Sequence, residues 1–175
     1  ILSPIELDLE SAQWKKLEKQ DLHRKPYTTD VVLADGGVYD NMGTETAIKR
    51  YRTILVSDAG QKTKPEEDPD SNWVGQSIRV FDLVDNQVRS LRKRILMWLF
   101  TKHIREGAYW GIGTNIANYN LSDALPCSFD RTKELAQVPT RLKAMESELQ
   151  ERLINWGYAV CDAAMRKHVN PQLNR

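Results

Sequence analysis

Asp35 is the residue whose neighbours best suit it to act as a base. It follows the short apolar run Val31, Val32, Leu33 and Ala34, and it precedes Gly36 and Gly37. A run of β-branched residues like this predicts a strand buried on both faces. A glycine pair after it allows positive φ and close backbone approach. The carboxylate is then expected at the carboxyl end of a buried strand, the edge of an open α/β sheet where ligands bind. There it could take a proton from a nucleophile or line a cleft. Asp58 ends a second apolar run, Thr53 to Ser57, and Asn41 follows Asp35 in the segment DGGVYDNMG. Asn41 is expected to bond the backbone of its own turn and Asp40 to cap the next helix. Both Asn41 and Asp58 remain candidates for lining the cleft.

Other chemistries find less support. His23, His103 and His168 are scattered, and no pair has metal-ligand spacing, so no metal site is expected. GIG at Gly111 to Gly113 lacks the further glycine and helix start of a dinucleotide loop, so no cofactor is expected either. Ser77, in GQSIR, has only the first glycine of a GxSxG elbow and no strand before it. Cys127 and Cys161 have no CxxC spacing and read as reduced, buried thiols.

Positioning Asp35 requires strand, loop, helix and strand over Val31 to Gly60. The helix is expected from about Thr44 to Tyr51, with Thr53 to Ser57 as a parallel neighbour of the first strand. Upstream, the alternation of Ile5, Leu7 and Leu9 suggests an edge strand or docking arm, and Ser11 to Leu22 a short polar helix ended by Pro26. Residues 61–72 carry two prolines and no apolar side chain, so they are expected to be an exposed loop, either a solvated connection or a lid. Val84, Val88, Leu91, Ile95 and Leu99 mark one apolar stripe of a long helix over about 76–106, closed by Gly107. Its cations, Arg89, Arg92, Lys93 and Arg94, fit either a solvated face or peripheral contact with an anionic membrane. Ala108 to Asn115 reads as a strand and residues 117–130 as turns with a short helical piece. Thr140 to His168 reads as a helix with Leu142, Met145, Leu149, Leu153, Trp156 and Val160 on one side, and Gly157 inside it suggests close packing by a neighbour.

The chain has 175 residues, 41% hydrophobic and 28% charged, which is one domain's worth of ordinary globular sequence. A net charge of +1 argues against a general nucleic-acid binder. No apolar run is long enough to span a membrane, and the first residues carry no signal-peptide pattern. They read as the middle of a longer gene product, cytoplasmic or peripheral to a membrane.

The segment DGGVYDNMG resembles the aspartate block of patatin-like phospholipases. The resemblance extends to VSDAG, to YWGI and to LINWGYAVCDAAMR, and so covers most of the chain. It implies part of a three-layer α/β/α domain with a mainly parallel central sheet, lacking its N-terminal half. It also implies a serine acyl hydrolase working on a lipid or acyl ester through a Ser-Asp dyad. Asp35 would be the aspartate, and Gly36 and Gly37 would let the backbone clear the acyl group.

Without a histidine the carboxylate itself must contact the serine. An aspartate of ordinary pKa near 4 is a weak base, so it is expected to gain basicity from partial burial. The family's GxSxG nucleophile and its glycine-rich oxyanion loop both precede the aspartate block, and neither occurs in these residues. They are expected on an upstream segment, leaving this chain inactive by itself. The alternative is a catalytically silent patatin-like domain that binds lipid or protein.

Overall fold

The computed structural model describes residues 4–15, 21–60, 63, 65–141 and 143–173. The chain divides into two compact units, Ile1–Asn41 and Met42–Arg175.

In the first unit, β1 (Ile5–Asp8) pairs antiparallel with β2 (Asp30–Leu33), Ile5 opposite Leu33 and Asp8 opposite Asp30. The alternation of Ile5 and Leu7 does mark a strand. β2, however, takes β1 as its partner and not the strand after the helix, which corrects the expected parallel neighbour. Nor is β2 buried on both faces, for Val32 is 61% exposed. Among the unit's described residues its only ladder partner is another exposed strand, and the one helix, α1 (Gly37–Asp40), is a single turn. The helix expected over Ser11 to Leu22 does not appear at residues 11–15 or 21–22, and its centre lies outside the described residues.

The second unit is built on a parallel pair, β3 (Thr53–Asp58) and β4 (Glu106–Gly111), running from Thr53 opposite Glu106 to Asp58 opposite Gly111. α2 (Thr44–Arg50) precedes β3, and α3 (Trp73–Thr101) lies between the two strands as the crossover that parallel strands require. Ile54 and Val56 point to one face and are buried with Leu96 of α3, alongside Met42, Ala47 and Ile48. On the opposite face Ala108 packs beneath α5 (Ser147–His168), whose Trp156, Ala159, Val160, Ala163 and Ala164 recur at helical spacing. β3 therefore alternates: Leu55, between the two buried residues, is 50% exposed. A 3-10 turn at Ile116–Tyr119 and α4 (Phe129–Leu135) close the edge of this core.

Ion pairs brace the layers. Glu45 of α2 meets Arg92 of α3 at 3.5 Å, and the Arg105 guanidinium donates to the Ile48 carbonyl at 2.9 and 3.1 Å. Arg166 of α5 is buried between Asp162 and Asp123, both within 2.8 Å, and their hydrogen bonds push its pKa still higher than usual.

Three helical expectations need correction. α3 ends at Thr101, because His103 turns left-handed at φ 54°. His103 N–H then bonds the Phe100 carbonyl and Ile104 N–H that of Leu99, a Schellman closure without glycine. Gly107 instead lies inside β4. The expected apolar stripe is covered only at its end: Leu99 is buried, with Leu96 beside it, whereas Val84, Val88, Leu91 and Ile95 are exposed. Finally, α5 begins at Ser147 and not Thr140; Met145 lies before it, Leu142 is outside the described residues, and an added Cβ at Gly157 would meet nothing within 4 Å.

Candidate functional site

Two strand ends carry the same local device. At the end of β2, Asp35 Oδ1 accepts the Gly37 N–H at 2.9 Å; at the end of β3, Asp58 Oδ1 accepts the Gly60 N–H at 2.8 Å. A short carboxylate reaching two residues forward is the Asx turn favoured by aspartate before small residues. The sequence spacing Asp-small-Gly encodes it locally, so it forms whatever the surroundings.

Around Asp35 the first unit brings together three of the expected residues. A Cβ on Gly37 would lie 3.1 Å from Asp35 Oδ1 and 3.2 Å from Asn41 Oδ1, so Gly37 is where close approach excludes a side chain. Gly36 has open space and right-handed backbone at φ −60°, so neither glycine serves through positive φ. Asp35 is exposed, contrary to the expected partial burial, because the apolar run before it is itself exposed. Asn41 ends α1, and the residue that starts α2 is Gly43 at φ 63° with no side-chain cap, so Asp40 does not cap it.

Around Asp58 the second unit forms a cleft of 440 Å³ at the carboxyl ends of β3 and β4. Asp58 is half-buried there. Its Oδ2 accepts the Tyr109 hydroxyl at 2.5 Å, across the ladder and on the same face. Burial first, then the bond to Asp58, pushes the Tyr109 hydroxyl well above its ordinary pKa, so it stays a donor. The Lys93 ammonium sits 4.2 Å over the Tyr109 ring, a cation–π contact. Arg89, one turn earlier on α3, lays its guanidinium so close to Gly60 that a Cβ there would be 2.6 Å away. Lys133 of α4 and the backbone at Gly111 and Gly113 complete the wall. With three cations to one carboxylate, and that carboxylate occupied by two donors, the cleft suits an anionic group better than it suits base catalysis.

Asp58 lines this cleft of the second unit, where its bond to Tyr109 links β3 to β4. Tyr109, Lys93 and Lys133 were not foreseen. Arg89 and Lys93 stand four residues apart and so share a helix face, but Tyr109 meets Asp58 only through the register of two strands distant in sequence.

Among the described residues no serine or cysteine hydrogen-bonds a carboxylate or imidazole, and no group of three or more metal-ligating side chains occurs. Cys127 and Cys161 are free thiols, half-buried rather than buried, and burial raises the pKa of both. No helix among the described residues is long and apolar enough to cross a membrane. Comparison of the chain with protein-family models, curated proteins and solved structures found no match.

Proposed function

We propose that this chain is the C-terminal portion of a patatin-like serine acyl hydrolase, acting on a phospholipid or related acyl ester, with Asp35 as the aspartate of a Ser-Asp dyad. The observation that carries the reading is the turn at Asp35. One carboxylate oxygen is held by the Gly37 N–H, and the residue is exposed at the end of a strand, open to an incoming hydroxyl. Holding one oxygen fixes the direction of the other, which is what a base needs when no histidine orients the nucleophile. The nucleophile belongs to a GxSxG turn on a separate segment, since none of the serines here has that setting. Docking of that segment would also remove water from Asp35 and raise its basicity. The parallel pair β3 and β4, with helices on both faces, is consistent with a place in a three-layer α/β/α domain.

The test is hydrolysis of a p-nitrophenyl acyl ester. In the protein that includes the GxSxG segment, Asp35→Asn keeps the turn but removes the base, and kcat is expected to fall about 10²–10⁴-fold. Near-normal activity in that variant overturns the dyad. The 175-residue chain alone is expected to be inactive, and turnover that Asp35→Ala abolishes would contradict the division of the site.

The exposure of Asp35 favours a second reading, a catalytically silent patatin-like domain that binds lipid or protein, in which DGG only shapes a turn. A protein without GxSxG upstream of Asp35 decides for it.

A further inference from the structure

The apolar residues that α3 leaves exposed are not scattered. Phe81, Val84, Val88, Leu91, Ile95 and Trp98 follow one another at alternating steps of three and four, the spacing of a coiled-coil seam, and Val74 and Ser77 extend it by one repeat. All six are open to solvent, from 38% at Val88 to 69% at Phe81. Leu99, four residues after Ile95, borders the seam where α3 meets the chain's own core, and Leu96 lies further round the helix. From Val74 to Trp98 it is roughly 36 Å long at 1.5 Å per residue. A seam of this length exposed to water marks an interaction surface.

The charges beside the seam indicate what covers it. Asp85 borders its first half, and Arg92 and Arg94 border its second, whereas Arg89 and Lys93 turn to the cleft on the far side of α3. Laid parallel on a second copy, the seam would set two such cationic clusters side by side. Laid antiparallel, it sets the acidic half of each copy against the basic half of the other. In the antiparallel register Phe81 meets Trp98, Val84 meets Ile95 and Val88 meets Leu91, each layer occurring twice. The same register places Asp85 of one copy next to Arg92 of the other, also twice. Arg92 also pairs with Glu45 of its own chain at 3.5 Å, so it would bridge the two carboxylates. An anionic membrane fits less well, because Asp85 would be pressed against like charge. We infer that α3 is a homodimerisation helix, pairing antiparallel with α3 of a second copy through the seam from Phe81 to Trp98.

Light scattering on the purified chain at about 100 µM, with and without anionic phosphatidylserine vesicles, tests the inference directly. The expected mass is twice 20.1 kDa. Leu91→Glu is expected to give a monomer with unchanged helical circular dichroism, since Leu91 takes no part in the core. Asp85→Lys, also exposed, sets like charges together and is expected to weaken the dimer at least about tenfold. Mixed under mild oxidation, Val84→Cys and Ile95→Cys chains should cross-link to each other, and neither to itself. A monomeric parent chain, whether it stays free or binds the vesicles, overturns the inference. So does a dimer indifferent to both Leu91→Glu and Asp85→Lys, or self-cross-linking of Val84→Cys. None of these readouts depends on ester hydrolysis, so the dimer and the dyad stand or fall separately.

Discussion

Replacing Gly107 with alanine is expected to separate β3 from β4 and to abolish the strand-end cleft with them. Gly107 sits opposite Ile54 in the parallel ladder at φ +143°, and a Cβ built there lies 1.8 Å from the Ile54 carbonyl oxygen. Carbon and oxygen approach no nearer than about 3.3 Å even in favourable C–H···O contacts, so the strands must part by roughly 1.5 Å. The obstacle is backbone, which cannot rotate aside as a side chain could. Parting by that much breaks the two or three ladder bonds around Gly107, at about 1 kcal/mol each. Holding alanine in that backbone conformation adds about 1–3 kcal/mol. The total, about 3–6 kcal/mol, is comparable with the whole stability of a typical domain, about 5–15 kcal/mol. Urea unfolding followed by circular dichroism is expected to show the midpoint lowered by at least about 1 M. Gly113→Ala is the control, because a Cβ at Gly113 meets nothing within 4 Å. If Gly107→Ala stays within about 1 kcal/mol of the parent, the register of the pair, and the cleft built on it, are wrong.

Two further predictions concern stability. Tyr109 has its pKa raised in the folded chain, by burial and by Asp58, against an unfolded value near 10. Its contribution is therefore complete below about pH 10 and is lost as pH climbs above that, where the unfolded chain releases a proton that the folded chain retains. Tyr109→Phe is expected to flatten this alkaline loss in a plot of unfolding free energy against pH; an equal slope in both proteins refutes the assignment. Gly157, exposed in the middle of α5 with open space at its Cβ position, is expected to accept alanine with a gain of about 0.5–1 kcal/mol. A lower melting temperature for Gly157→Ala would show that the glycine serves a contact.

Much of this protein is legible in the sequence because it is local. The apolar runs at Val31 and Thr53 end where the strands end, α2 begins at Thr44, and the Asp-small-Gly spacing at Asp35 and Asp58 builds its own turn. Periodicity likewise located α3 and α5, since a side-chain repeat of 3.6 survives any environment. Which face of each element is covered depended on its neighbours. β2 turned to β1, Leu55 stayed half in water because α5 lies over β4, and of the apolar stripe of α3 only Leu99 was buried while Val84, Val88, Leu91 and Ile95 were left exposed. The closing residue of α3 moved from Gly107 to His103 for the same reason. The parallel ladder needed its glycine beside Ile54, a demand made by a strand some fifty residues away in sequence. The bond between Tyr109 and Asp58 arises only from strand register, which no single segment encodes. Local chemistry thus determined where the candidate acids stand and how their turns close; the pairing of distant strands decided which of them lies in a cleft and which remains exposed.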